Sequence, residues 1–238
     1  MAGNDAVGAA QLLVSLQLSD SAFPSGFYAM SHGLEGFLQQ GLVSPETVGG
    51  LLEDMLVRTV GPSDATALAR AHGAATRRDW DAVVELDRQL FASKLSAELR
   101  AASVRSGRQL ADIASEAYAG TPGGDDLATW AALVKARRTP GCQAIVTGVA
   151  YAATGVPVEQ AVVSDLFAFA VSYAGAALRL RLTDHRSTQA LLRRIQPTIE
   201  AVAADAVARP ALDIGGFAPV GDIMSASHER AHARLFTS

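Results

Sequence analysis

The residues best suited to chemistry lie near the end of the chain. His228, Glu229 and His232 form the pattern H-E-x-x-H. On a helix, two histidines four residues apart share one face, so both can bind a zinc ion while the glutamate activates a bound water. The pattern therefore indicates a zinc-dependent hydrolase as one candidate function.

A catalytic zinc ion also needs a third protein ligand. Only six residues follow His232, and none of them is His, Glu, Asp or Cys. The third ligand would have to come from far upstream, and the catalytic helix would lie at the end of the chain, where helices fray. The zinc hydrolase is therefore kept only as the alternative function.

Composition favours closely packed helices. Of 238 residues, 49% are apolar but only 6% are aromatic, and alanine is abundant, whereas strands favour aromatic and β-branched residues. The net charge of −4 is small. The basic residues are scattered among acidic ones, which argues against a nucleic-acid-binding surface.

The single cysteine, Cys142, excludes an intrachain disulfide and fits a reducing compartment. It stands at the start of an apolar helix, where the helix dipole could lower its pKa. The favoured interpretation is a small buried side chain.

Two further features favour a soluble, cytoplasmic protein that does not enter a membrane. No basic region precedes the first apolar residues, as it would in a signal peptide. The most apolar tract, residues 162–182, is interrupted by Asp165, Arg179 and Arg181, which predicts a buried helix instead of a membrane span.

Helical periodicity extends over almost the whole chain. It predicts an all-α fold, a single-domain bundle of about ten helices over residues 1–238, the last of them over residues 222–236. We expect a second helix over residues 27–40, and a third that opens at Ser44-Pro45 and breaks at residues 61–64. Pro197 is expected to kink or divide the helix over residues 187–208.

A polar stripe runs along the predicted helix over residues 158–183. Asp165, Ser172 and Arg179 recur at seven-residue intervals among Ala, Gly and large apolar residues. Small residues allow another helix to approach closely, and polar groups can fix its register. The stripe fits a central helix or a dimer seam, and equally an edge that faces water.

Other catalytic patterns do not occur. The sequence contains no P-loop, no G-x-G-x-x-G after a strand and no G-x-S-x-G. Composition and spacing alone thus indicate a helical protein without a recognisable catalytic centre. A small-molecule or regulatory binding protein is a further alternative.

Two terminal segments carry a family resemblance. Residues 18–43 read L-S-D-S-A-F-P-S-G-F-Y-A-M-S-H-G-L-E-G-F-L-Q-Q-G-L-V, and residues 228–238 read H-E-R-A-H-A-R-L-F-T-S. The first resembles the opening signature of the UreF family of urease accessory proteins, and the second resembles that family's tail. The matched positions of the opening signature are Pro24, Gly26, Tyr28, Ser31, His32, Gly33, Leu34 and Glu35.

The resemblance covers essentially the whole chain and implies a function. Members of the family are all-helical, dimeric and cytoplasmic, with no agreed catalytic activity of their own. They bind a UreD-type (UreH-type) scaffold, recruit the UreG-type GTPase and help to load nickel into apo-urease. The resemblance thus implies a homodimeric adaptor with no stably bound cofactor, because the complex handles the nickel.

The same resemblance suggests which residues bind partners. From the opening signature these are Tyr28, Ser31, His32 and Glu35, and from the tail they are Arg230, Arg234, Leu235 and Phe236. Glu35 could instead make an ordinary capping contact within its own chain. The resemblance also implies a C-terminal docking tail over residues 222–238. Its two large apolar residues must dock either on its own subunit or in a partner's groove, and the resemblance favours the UreD-type partner.

The sequence departs from the family pattern at two places. Asp184-His185 stands where many members have a Gly-Gln pair, and Met30 takes the place of a second aromatic residue. These departures concern local contacts. On the resemblance, H-E-x-x-H is a coincidence within a recognition tail, because the family pattern leaves the position of His232 open.

Overall fold

The computed structural model describes residues 8–20, 23, 30–216, 220–221, 223–224 and 236. Within these residues all regular structure is helical and no strand occurs, which confirms the all-α prediction. The α-helices are α1 Ala9–Ser19, α2 Leu34–Gln39, α3 Val48–Met55, α4 Thr66–Thr76, α5 Trp80–Ser93, α6 Ala97–Ala117, α7 Gly124–Lys135, α8 Gln143–Ala153, α9 Val158–Arg179, α10 His185–Arg194 and α11 Gln196–Ala208.

The predicted break at residues 61–64 is wrong. After α3 the chain continues as a π-helical segment, Leu56–Ala65, which carries Pro62 inside it and leads directly into α4. Proline removes a hydrogen-bond donor, and the wider π turn accommodates it. Side-chain hydroxyls then serve the backbone, because Ser63 Oγ donates to the Thr59 carbonyl at 2.6 Å and Thr66 Oγ1 donates to the Gly61 carbonyl at 2.9 Å.

The second helix is shorter than predicted. Residues 27–29 lie outside the described part, and α2 begins only at Leu34. The two residues before it, His32 and Gly33, have φ angles of 54° and 82°, so the backbone is left-handed there and cannot be α-helical. This turn sets the direction of the His32 side chain.

The predicted division at Pro197 is confirmed. Helix α10 ends at Arg194 and α11 begins at Gln196, with the proline in its first turn. A proline in the first turn removes an amide that would have no helical partner. Of the predicted helix over residues 222–236, positions 223 and 224 are helical, and the remainder other than Phe236 lies outside the described residues.

The core forms around α8, which lies between α4 and α6. Every residue from Gln143 to Tyr151 is buried. A Cβ atom on Gly148 would come within 2.5 Å of the Leu68 carbonyl oxygen of α4, and one on Gly107 of α6 would overlap the Gly141 carbonyl just before α8. Backbone therefore meets backbone on both sides of α8.

A buried carboxylate fixes the start of α8. Asp87 of α5 is fully buried and accepts hydrogen bonds from the backbone amides of Gly141 at 2.6 Å and Cys142 at 2.8 Å, and from the Thr139 hydroxyl. Burial, and secondly the Asp87 charge, raises the pKa of the Cys142 thiol. The interpretation of Cys142 as a buried, unreactive side chain is confirmed.

Helix α9 is central to the other half of the bundle and packs against α1, α4, α10 and α11. It is long and apolar enough to span a membrane, and 44% of its most apolar window is buried within the protein. Core helices of soluble proteins meet the same criterion. Alanines 161, 170, 174, 176 and 177 of α9 are fully buried, which allows the neighbouring helices to approach closely.

We expect Gly148→Ala to lower the free energy of unfolding by about 2 kcal/mol or more, because the new methyl group has to displace the α4 backbone. The control is Gly50→Ala in α3, where a Cβ meets no atom within 4 Å. That variant should gain about 0.5–1 kcal/mol from the helix propensity of alanine. Urea denaturation measures both, and equal stabilities would contradict the close crossing of α4 and α8.

Candidate functional site

The N-terminal motif meets α9 at His32. The Nε2 atom of His32 lies 2.8 Å from the Ser172 hydroxyl, and its ring centroid lies 4.5 Å from that of Phe169. The left-handed backbone at His32 directs the ring towards α9, while Leu34, fully buried, anchors the start of α2 in the core. Two segments 140 positions apart in sequence are thereby joined.

The C-terminal tail reaches the same region. The Oε2 atom of Glu35 accepts a hydrogen bond from the backbone N–H of Phe236 at 3.2 Å. The guanidinium carbon of Arg179 lies 4.4 Å from the centroid of the Phe236 ring, a cation–π contact. Glu35 and Phe236 are both buried, at 4% and 6% exposure. We call Glu35, Arg179 and Phe236 the tail junction. Through Phe236, the tail contacts its own subunit.

The remaining residues predicted to bind partners have different positions. Ser31 is buried, and its hydroxyl accepts a hydrogen bond from the Glu35 amide at 3.4 Å. Tyr28, Arg230, Arg234 and Leu235 lie outside the described residues, as do His228, Glu229 and His232 of the zinc pattern. Within the described part, no group of three or more His, Cys, Asp or Glu side chains could hold a metal ion.

The polar stripe of α9 lines a cleft of about 230 Å³. Each of its three side chains makes a contact within the chain: Asp165 with Gln143, Ser172 with His32, and Arg179 with Phe236. Asp165 is only 9% exposed, which contradicts the interpretation of the stripe as an edge facing water. The dimer seam stays a prediction. The cleft is lined by Leu18, Ser19, Asp20, Leu110, Gln143, Thr147, Ala150, Tyr151, Asp165, Ala168, Val171, Ser172, Gly175 and Arg179.

Sequence reasoning missed the polar groups of α8 that face this cleft. The Gln143 amide donates to Thr147 Oγ1 and to Asp165 Oδ1, both at 2.9 Å. Both α8 residues are buried. The sequence does contain a signal for this polar face. Gln143 and Thr147 are polar residues four apart on an otherwise apolar helix, and such residues share one face.

Burial shifts the pKa values of Asp165, which lines the cleft, and of His32, which contacts Ser172 in its wall. Burial raises the pKa of Asp165 to about 6, against the opposing effect of its hydrogen bond from Gln143. Burial and the positive charge of Arg179 lower the pKa of His32 to about 4. At neutral pH the Asp165 carboxylate is therefore ionised, which lowers the free energy of unfolding, and the His32 ring is neutral.

A larger opening of about 470 Å³ lies between the ends of α4, α7 and α8. Arg78 and Asp126 form an ion pair at its wall, with Arg78 Nε 2.9 Å from Asp126 Oδ1. None of the residues singled out by the sequence motifs lines this opening. The cleft along α9, where the motifs meet, is therefore the candidate site.

The fold and site define a helical protein in which an N-terminal motif and a C-terminal tail meet on a central helix. The UreF family model matches residues 42–196. The urease accessory protein UreF 2 of Brucella canis is 33% identical over 226 residues, which cover 94% of this chain and 91% of that protein. The urease accessory protein UreF of an Arthrobacter species is 34% identical over 236 residues, which cover 98% of this chain and 99% of that protein. The chain belongs to the UreF family.

Membership confirms the resemblance that the terminal motifs carried. It extends to more distant relatives, since the urease accessory protein UreF of Yersinia pseudotuberculosis is 27% identical over 233 residues, which cover 98% of this chain and all of that protein. The family model does not include the tail junction residues Glu35 and Phe236, which lie outside residues 42–196.

We expect Asp165→Asn to stabilise the protein at pH 7.5 by about 1–3 kcal/mol and to leave its stability unchanged at pH 4. The ordinary pKa of 3.8 is raised to about 6 on folding, so the carboxyl group contributes stability below pH 3.8 that is lost as the pH rises through 6. Asparagine keeps an acceptor for Gln143 without the charge. Urea denaturation at several pH values measures the difference, and an unchanged stability at pH 7.5 would contradict a buried charge.

The titration of His32 changes the free energy of unfolding in the opposite direction over nearly the same pH range. Its pKa falls from 6.5 to about 4 on folding, so its contribution to stability is lost as the pH falls from 6.5 to 4. The two effects partly cancel in the unaltered protein. The Asp165→Asn variant should therefore become less stable on acidification. The double variant Asp165→Asn/His32→Gln should lose less stability over the same pH range.

Proposed function

We propose that this chain is a non-catalytic adaptor in urease maturation. It binds a UreD- or UreH-type scaffold and recruits a UreG-type GTPase, so that nickel is inserted into apo-urease. Membership of the UreF family supports the role in urease maturation. The observation that carries the partner-binding proposal is the tail junction, where Glu35 and Arg179 hold Phe236.

The junction has the chemistry of a protein–protein contact surface. Arginine and aromatic residues are enriched among the residues that contribute most to binding. Here the Glu35 carboxylate fixes the tail backbone and the Arg179 guanidinium fixes the ring. A Phe236 residue held in this way loses less conformational entropy when a partner binds than a free one would. The scaffold protein is the proposed partner of this surface.

The division of labour follows from the residues present. The sequence has no P-loop, so the nucleotide chemistry belongs to the GTPase. Nickel passes through the complex as cargo, and the chain works in the cytoplasm without a stably bound cofactor of its own. The alternative of a zinc hydrolase at His228, Glu229 and His232 has no support from membership of an accessory-protein family.

We expect Phe236→Ala to weaken binding of the UreD-type scaffold by about tenfold or more, because it removes the buried ring that Arg179 covers. The matched control is Phe91→Ala, which removes a second phenylalanine that has an arginine over its ring, Arg100, at 5.9 Å. Phe91 is 36% exposed and lies on α5, away from the junction.

Co-purification of the co-expressed proteins measures scaffold binding, and far-UV circular dichroism confirms that each variant folds. Deletion of residues 230–238 should abolish binding while helicity is retained. Glu35→Ala should impair urease activation together with scaffold binding. Equal binding by the Phe236→Ala and Phe91→Ala variants would overturn the role of the tail junction.

We also propose that the protein is a homodimer, and the supporting feature is an apolar surface on α1. Leu12, Leu13 and Leu16 are 50%, 66% and 58% exposed, and α1 contains no charged residue. Helix α1 packs on α9, where Phe167 is 37% exposed. The polar stripe is already engaged within the chain, so this apolar surface is the better dimer candidate.

We expect the Leu13→Glu/Leu16→Glu variant to be monomeric, because two buried charges would have to be desolvated in the interface. Light scattering coupled to size-exclusion chromatography measures the mass. The control is Leu212→Glu, at a residue 92% exposed in the 3₁₀ turn Ala211–Asp213. A dimer that persists in the double variant would exclude the α1 surface.

A further inference from the structure

Asp165 is a buried carboxylate without an ion pair. The residue is 9% exposed, and it belongs to none of the ion pairs seen between described residues. Gln143 donates to Oδ1, while Oδ2 has no hydrogen-bond partner in the described part of the chain. Because burial of an unpaired charge is costly, such a group is typically paired with a cation when the site is complete.

The cavity around Asp165 suits an aliphatic chain. Leu18 of α1, Leu110 of α6, Ala150 of α8, and Ala168 and Val171 of α9 line its walls. The volume of about 230 Å³ is sufficient for one long side chain but not for a helix. Lysine and arginine bury such aliphatic stems against apolar surfaces while their charged heads find polar partners.

The charges around the cleft leave the Asp165 end open to a cation. The Cα atom of Arg179, on the same helix fourteen residues on, lies about 21 Å further along the axis. Its guanidinium group contacts the Phe236 ring. The other titratable groups that line the cleft are Tyr151 of α8 and Asp20 after α1, neither of which is a cation at neutral pH, while α6 contributes only Leu110. Outside the lining, the charge of Asp64 also raises the pKa of Asp165, and the nearby cation Lys94 is paired with Asp64. His32 bonds to Ser172, half-way along the stripe.

A metal ion is a poor match for this site. Zinc sites are built from three or four His, Cys or carboxylate ligands, and no group of three or more such side chains occurs among the described residues. Calcium needs six to eight oxygen ligands, whereas the walls around Asp165 are mostly apolar. An organic cation needs only one carboxylate, with apolar walls for its stem. The chemistry therefore favours an organic cation.

We propose that the Asp165 end of the cleft binds an ammonium or guanidinium group on an aliphatic stem, as presented by a lysine or arginine side chain of a partner polypeptide. Asp165 Oδ2 accepts from the cationic head, and Gln143 holds the carboxylate in position through Oδ1. Leu18, Leu110 and Val171 contact the stem. Asp165 and the Arg179 of the tail junction stand at opposite ends of the polar stripe, so cation binding at Asp165 does not require the scaffold contact made by Phe236.

The test uses N-butylguanidinium and N-butylammonium as probes of the full-length protein, with N-butylurea as the uncharged isostere. Saturation-transfer NMR measures binding, and thermal unfolding at millimolar probe gives an independent readout. We expect both cations to bind and raise the melting temperature, and Asp165→Asn to weaken binding by about tenfold or more. The control Asp125→Asn, at an exposed acid of α7, should bind as the unaltered protein does.

The pH dependence is a second, independent readout. Because the carboxylate form binds the cation, affinity should rise between pH 5 and 7 as Asp165, with its pKa of about 6, loses its proton. The Asp165→Asn variant should show no such rise. No binding by the unaltered protein, equal binding by the Asp165→Asn variant, or equal binding of N-butylurea would each overturn the proposal.

A capped arginine, N-acetyl-arginine-N-methylamide, distinguishes the two sources of such a cation. If a partner inserts its side chain from outside, the capped residue should bind at least as well as N-butylguanidinium. If the cavity instead encloses a free small amine, the backbone of the capped residue should prevent binding. Exclusion of the capped arginine would overturn the assignment to a partner's side chain.

Discussion

The structure depends on two glycines at which neighbouring backbones are in direct contact. At Gly148 and Gly107, helix α8 and the turn before it touch the backbones of α4 and α6 so closely that a single methyl group would collide with a carbonyl oxygen. The Asp87 carboxylate holds the amides at the start of α8 from the third side. With α8 fixed in this way, Gln143 and Thr147 face α9 at a defined height, and Gln143 can hold Asp165.

The candidate site combines parts of the chain that are far apart in sequence. Helix α9 supplies Ser172 and Arg179, the N-terminal motif supplies His32 and Glu35, and the tail supplies Phe236. Each contact is individually modest, a hydrogen bond or a cation–π contact of about 1 kcal/mol. Together they join the N-terminal motif, α9 and Phe236 of the tail within one subunit.

The pH dependence of folding stability combines the opposite effects of two buried groups, Asp165 and His32. Burial acts on Asp165 and His32 in the same physical way, by disfavouring the charged form, but it raises one pKa and lowers the other. Their effects on the pH dependence of folding are therefore opposite in sign and overlap between about pH 4 and pH 6. A flat pH profile of the unaltered protein is thus compatible with two strongly perturbed groups, and only variants separate them.

The sequence by itself determined the fold class, the division at Pro197 and the family. Helical periodicity and proline chemistry are local properties, and the terminal motifs are specific in their residues and spacing. It failed at Leu56–Ala65, because only the surrounding packing allows a π-helical path through Pro62, and at residues 30–33, where the left-handed turn at His32 interrupts an apparently helical pattern. The tertiary structure decided that the tail contacts Glu35 and Arg179 of its own subunit, and that Asp165 lies buried without an ion pair. Burial and contacts over 201 positions depend on how helices pack, and no local pattern records that.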